Sequence, residues 1–317
     1  MNWTDTRKKL LQLASGRVPR LAGGASPAGN LADGTAEDDA EVVEELAGPR
    51  AISLCVASGK GGTGKSVVTA SLAALLAPRG RTLIVDADFG VGNAHLLQDV
   101  SPRATSVDVV EGGLGVREAL TACGKDVDLL AAGSGVPRMS ELTGYELHVL
   151  ASGLREIERE YRWLLVDSAA GVSHQTVAFA RACDATLVVT TPDLTAMTDA
   201  YAFLKLLLAG RSGARAFLLV NRAASAEEAD EVTRRIGRVG ERFLGTAPRC
   251  IGWLPHDPAV SAAVNRRGSV VVLEPGAEVS RALRKIASAL VEELSPLTTR
   301  GLGRELQREI GFAARLA

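Results

Sequence analysis

Ser58-Gly-Lys-Gly-Gly-Thr-Gly-Lys-Ser66 places Gly59, Gly64, Lys65 and Ser66 at the spacing G-x-x-x-x-G-K-[ST]. Each position in that spacing has a physical task. Gly59, Gly61, Gly62 and Gly64, with Thr63 among them, let successive backbone N–H groups close around phosphate oxygens. Lys65 is set to reach the β and γ oxygens, and the Ser66 hydroxyl to ligate Mg²⁺. The flanks agree. Ala51–Ala57 is an apolar run of strand composition, and residues 66–77 read as a helix whose N-terminus faces the anion. Strand, glycine-rich loop and helix in that order predict a nucleoside triphosphate site.

Outward from this loop, strands and helices alternate. Further apolar strands are expected over Arg81–Asp86, Val127–Ala131, Arg162–Asp167, Ala185–Thr190, Ala214–Asn221 and Arg249–Leu254. Amphipathic helices are expected between them over Tyr145–Tyr161, Ser173–Cys183, Thr195–Ala209 and Ala226–Phe243. Uniformly apolar strands separated by helices predict an α/β fold: a doubly wound, mostly parallel sheet with helices on both faces. Ligands of such sheets lie at the carboxyl ends of the strands. No internal repeat is visible, which argues against a duplicated ATPase.

Two acidic motifs fall at those ends. Val85-Asp86-Ala-Asp88-Phe-Gly-Val-Gly-Asn93 follows the second strand and offers two carboxylates followed by glycines. Taken alone, such a pair also reads as turn caps; beside a phosphate loop it can face a metal-bound triphosphate. Trp163-Leu-Leu-Val-Asp167 is an apolar strand ending in an acid, suited to hold Mg²⁺ through Ser66 or a water. Residues 168–173 would then be a switch segment, with Gly171 giving backbone freedom.

An ordinary phosphate loop needs only Lys65, so Lys60 has no role within one subunit. With it, the stretch resembles the MinD/ParA deviant Walker A ATPases, whose motif is K-G-G-x-G-K-[ST], and the likeness runs over roughly residues 51–290. The resemblance implies a P-loop NTPase fold, ATP and Mg²⁺ as ligands, slow ATP hydrolysis and an ATP-dependent homodimer in which Lys60 reaches the partner's nucleotide. It further implies that Asp86 supports the water shell of Mg²⁺ and that Asp88 positions the attacking water. Asn221 in Leu218-Leu-Val-Asn-Arg222 would contact adenine, and Pro255 in Gly252-Trp-Leu-Pro-His-Asp257 would cover it. Lys60, Lys65 and Asp88 are thus the expected catalytic residues, and Ser66, Asp86 and Asp167 the expected metal-side residues.

Asp167-Ser-Ala-Ala-Gly-Val-Ser173, Thr190–Lys205 and Ala132-Gly-Ser-Gly135 resemble the FlhG/FleN flagellar-number regulators within that family. This implies a switch that regulates the number or placement of flagella, with a flagellar GTPase or basal-body protein as partner; MinD-type or ParA-type positioning of other cargo is the alternative. In the Thr190–Lys205 stretch, Thr195 or Thr198 would cap a helix that carries Ala200, Phe203, Leu204 and Leu207 on its apolar side.

Composition bounds the rest. A chain of 317 residues, 46% hydrophobic and of net charge −1, predicts a large core and no general electrostatic grip on nucleic acid. Four cysteines without a C-x-x-C pair argue against disulfides, zinc and iron–sulfur chemistry. Arg234, Arg235, Arg238 and Arg242 could form a basic stripe, but neighbouring acids dilute it. No apolar run is long enough to span a membrane and no signal-peptide core opens the chain, so a cytoplasmic location is expected. Residues 1–50 read as a flexible segment carrying a docking motif around Trp3 and the leucines of Asp5–Ala14, residues 51–294 as the ATPase domain and 295–317 as a tail. In that tail Leu302, Leu306, Ile310, Ala313 and Leu316 fall near one helical face, opposite Arg304, Arg308 and Arg315. This is the wheel of an interfacial helix that meets a membrane surface. Glu305 and Glu309 intrude on its apolar side, and a helix packed on its own domain gives the same wheel.

Overall fold

The order of the sheet explains why one loop can gather residues from distant parts of the chain. A computed structural model describes residues 50–133, 142–209 and 215–316. Residues 1–49 of the expected docking segment 1–50, and Ser134 and Gly135 of Ala132-Gly-Ser-Gly135, lie outside these residues. Among the described residues, eight strands form one sheet: β1 (Ile52–Ser58), β2 (Thr82–Ala87), β3 (Thr121–Ala122), β4 (Val127–Leu130), β5 (Trp163–Ala170), β6 (Ala185–Thr190), β7 (Ala216–Ala223) and β8 (Arg249–Pro255). Their order is β3-β4-β2-β5-β1-β6-β7-β8. All neighbours run parallel except the two-residue β3, which pairs antiparallel with β4. Every strand expected from sequence is present, and β5 runs past Asp167 to Ala170.

Alternation along each strand divides the core in two. In β1, Ile52, Leu54 and Val56 enter one buried cluster while Cys55 and Ala57 enter the other. The first cluster is roofed by α1 (Lys65–Leu76), with Val68, Leu72 and Leu76 buried. Three later helices share that face: α7 (Pro258–Asn265), α8 (Val270–Leu273) and α9 (Glu278–Leu294). The second cluster lies under α3 (Gly144–Ile157), α4 (His174–Ala182), α5 (Leu194–Leu208), α6 (Ala226–Leu244) and the C-terminal α10 (Leu302–Leu316), with the short α2 (Ser106–Val110) at its edge. Helices cover both faces, so the strands are apolar throughout. Local caps define several starts: Thr143 and Glu146 form a capping box for α3, and Ser173 and Ser225 cap α4 and α6. At α5 the cap position is Asp193 rather than Thr195 or Thr198. Asp193 accepts from the Thr191 hydroxyl (2.7 Å), and the two later threonines sit inside the helix.

The tail belongs to this core. Leu302 and Leu306 are fully buried, and Gly303 packs so tightly on α3 that a Cβ there would lie 2.5 Å from the Ala151 carbonyl oxygen. The intruding acids have partners. Glu305 is buried between Arg300 (3.3 Å) and Arg308 (2.7 Å), and Glu309 meets Arg181 of α4 at 3.8 Å. The wheel is therefore satisfied by the chain's own domain over its first turns. The basic stripe on α6 is likewise answered within the helix, because Glu231 bridges Arg234 (3.0 Å) and Arg235 (2.7 Å). Among the described residues, no helix is long and apolar enough to cross a membrane.

Candidate nucleotide-binding site

β1 ends at Ser58 and α1 begins at Lys65, so the glycine loop spans the gap at the carboxyl edge of the sheet. Gly62 (φ 77°) and Gly64 (φ 97°) take left-handed backbone, which is the reason glycine stands there. Gly59 is needed for closeness instead: a Cβ would fall 2.0 Å from the carbonyl oxygen of Asp199 in α5. Lys65 is buried and donates to the Ser58 hydroxyl at 3.0 Å. Burial lowers the pKa of its ammonium, and the Asp167 and Asp88 carboxylates oppose that shift.

The register of the strands brings the acids together. Asp86 of β2 sits directly beside Asp167 of β5, and Val56 of β1 lies on Asp167's other side. Both carboxyls are buried. Burial, then the Asp167 charge, pushes Asp86 well above the ordinary carboxylate range, while it accepts from the Asp88 and Ala94 N–H groups at 3.1 and 3.2 Å. Burial pushes Asp167 up to about 6, against the pull of the Ser66 hydroxyl, Lys65 and the Thr69 hydroxyl (3.3 Å). Gly92 makes room for this pair, since a Cβ there would lie 2.6 Å from Asp86 Oδ2. Asp88 is half-buried, accepts from the Val91 N–H at 3.2 Å, and is near enough to act on both Lys65 and Asp167. Beyond Asp167, Gly171 turns the chain at φ 93° and donates its N–H to the Ser58 carbonyl at 3.0 Å.

Two buried acids side by side, with a serine hydroxyl and a lysine against them, suit a divalent cation that shares its shell with phosphate oxygens. A second observation supports the fit. Thr63 Oγ1 is buried in the loop with no hydrogen-bond partner among the described residues. Ser66 would hold Mg²⁺, with Asp86 and Asp167 on its water side. Asn221 and Pro255 sit together at the carboxyl ends of β7 and β8, lining a cleft of ≈ 90 Å³ that also touches Gly64, Val68 and His256. Within it Asn221 Nδ2 donates to the Thr63 carbonyl at 2.7 Å, so the asparagine also braces the loop.

Lys60 is exposed, and its Nζ donates to Thr195 Oγ1 of α5 at 2.7 Å. Sequence reasoning did not foresee this partner, because nothing local links residues so far apart in the chain. Ser58 and Thr69 were also missed as partners of Lys65 and Asp167. Their signal was present: Ser58 closes the strand before the loop, and Thr69 lies one helical turn after Lys65.

Comparison with known proteins agrees with the geometry. Residues 54–270 match the CobQ/CobB/MinD/ParA nucleotide binding domain. The antiactivator FleN of Pseudomonas aeruginosa is 33% identical over 249 residues, which are 78% of this chain and 89% of that protein. The flagellum site-determining protein YlxH of Helicobacter pylori is 26% identical over 243 residues, 76% of this chain and 82% of that protein. In fold, the septum site-determining protein MinD of Pyrococcus horikoshii, solved with Mg-ADP, superposes with a TM-score of 0.64 at 21% identity, covering 79% of this chain and 99% of that one. The parallel sheet, the loop with its two lysines and the paired acids all stand within the matched span, and the chain belongs to the CobQ/CobB/MinD/ParA nucleotide-binding family.

Proposed function

We propose that this chain is an ATP-hydrolysing switch that dimerises with ATP and regulates the number or placement of flagella. The observation that carries the reading is the convergence of Lys65, Ser66, Asp86 and Asp167 on one phosphate loop at the carboxyl ends of β1, β2 and β5. The flagellar assignment rests on the likeness to FleN and YlxH. MinD-type positioning of other cargo is the second reading, favoured by the shared fold.

Hydrolysis would draw on position and charge. The loop N–H groups and Lys65 bind the phosphates, and Asn221 and Pro255 border the space for adenine. Mg²⁺, held by Ser66 with Asp86 and Asp167 on its water side, would supply neutralisation of the phosphate charge when bound. Asp88, held by the Val91 N–H, orients the attacking water. Lys60 rests on Thr195 of its own subunit and must leave that hydroxyl to reach a partner's nucleotide. Slow turnover follows if that exchange limits assembly of the complete site. A flagellar GTPase or basal-body protein is the expected partner of the ATP-bound dimer. Membrane attachment through α10 would require Leu302 and Leu306 to undock.

Size-exclusion chromatography with ATP against ADP tests the switch. The parent should shift to a dimer only with ATP, and Asp88→Ala should stay dimeric because it does not hydrolyse. A parent that stays monomeric with saturating non-hydrolysable ATP analogue overturns the reading. Counting flagella after deletion of the gene tests the biological assignment; an unchanged number would favour the positioning of other cargo.

A further inference from the structure

A second cavity, of ≈ 630 Å³, lies at the far end of α1 from the phosphate loop. It is bounded by the end of α1, the turn between β3 and β4 and the turn after α7, on the amino-edge side of the sheet. Its volume falls within the roughly 300–1,000 Å³ range of small-molecule sites. None of the residues assigned above to nucleotide or metal lines it.

Its lining is chemically mixed in a particular way. One wall is apolar and includes Val272, which is 63% exposed. Lys125 and Arg267 offer cations that form no ion pair among the described residues, whereas the adjacent Arg266 is matched by Glu274 at 3.0 Å. Gln98 Nε2 is buried with no acceptor among the described residues. Asp99 and Asp126 add two acceptors on the rim.

Backbone conformation marks the same place. Four non-glycine residues among those described have positive φ, and three of them, Asp99 (50°), Asp126 (63°) and Arg267 (54°), line this cavity. Each is set by its own turn: Asp99 ends the 3₁₀ turn Ala94–Gln98, Asp126 lies between β3 and β4, and Arg267 closes α7 with its N–H on the Val264 carbonyl (2.9 Å) and the Gly268 N–H on the Ala263 carbonyl (3.1 Å), so three capped turns bound the cavity.

We propose that this cavity is a second ligand site, separate from the phosphate loop, and that it takes a nucleoside phosphate. The phosphate meets Lys125 and Arg267, and an acceptor on the ligand takes the Gln98 amide. Asp99 and Asp126 receive ribose hydroxyls or a base amino group, and the base lies against the Val272 wall.

Equilibrium dialysis of the full chain with radiolabelled ADP, GDP and CDP, each at up to 1 mM with Mg²⁺, tests this. At least one nucleotide should bind with a stoichiometry that survives Lys65→Ala and weakens at least tenfold in Lys125→Glu/Arg267→Glu. Val272→Trp, which fills the cavity from an exposed position, should have the same effect. Matching thermal unfolding of these variants and the parent establishes that they fold. If none of the three nucleotides shows binding that is independent of Lys65 and sensitive to both cavity variants, the proposal is overturned. The phosphate-loop reading would survive that result, since it depends on binding that Lys65→Ala abolishes.

Discussion

Asp167→Asn should make the protein more stable at neutral pH while disabling its site. Asp167 is fully buried beside Asp86, and its carboxyl is raised from 3.8 to about 6, mainly by burial. The folded chain therefore holds this proton more tightly than the unfolded chain does. Stability contributed by the group is full below pH 3.8 and is lost as pH rises through about 6. At about 1.4 kcal/mol for each pH unit of difference, the loss is about 3 kcal/mol once pH exceeds 7. Asparagine mimics the neutral acid in shape and keeps an acceptor for Ser66 and Thr69. The variant should thus gain up to about 3 kcal/mol over the parent at pH 7.5, or about 6–12 °C for a domain of this size, and should match it near pH 4. Thermal unfolding without nucleotide across pH 4–8 measures the gap. Adding Mg²⁺ and ADP should raise the parent's midpoint more than that of Asp167→Asn, which keeps the loop and Lys65 but loses a carboxylate on the metal side. A variant that melts at or below the parent at pH 7.5, with no trend in the gap, would refute the reasoning.

Three further outcomes follow from the packing. Leu306→Ala removes a fully buried side chain from under the C-terminal helix and should cost about 2–5 kcal/mol in urea unfolding. Gly59→Ala pushes a methyl into the Asp199 carbonyl 2.0 Å away and should cost about 1–3 kcal/mol by the same measure; Gly61→Ala, whose new Cβ meets only Ala170 at 3.9 Å, should be tolerated. Asn221→Ala loses the 2.7 Å bond that braces Thr63 and should weaken ADP binding by about 1 kcal/mol, near fivefold by calorimetry.

The fold was legible because the strands are uniformly apolar and the loop is anchored between the first strand and its helix. What lay hidden depends on long-range register. Nothing local in Asp86 and Asp167 says that they are neighbours; the placement of β5 between β2 and β1 does. The partner of Lys60 was hidden for the same reason. The helices after β8 were missed despite a regular apolar period in α9, whose buried Val279, Leu283, Ile286 and Leu290 recur at helical spacing. The tail was ambiguous in principle, since a helical wheel records one apolar side and not its occupant. Glu305 and Glu309 were the clue that the occupant carries arginines, and Arg181 and Arg300 supply them.

That docking changes how a truncation would behave. Arg300 clasps Asp184 and the Cys183 carbonyl, and the helix that follows plugs a trough between α3 and α4. A protein shortened at residue 300 would bare that greasy trough, and would adhere to vesicles, to columns and to itself. Loss of the last turns would then masquerade as gained stickiness, or as insolubility, whatever the native tail does with lipid.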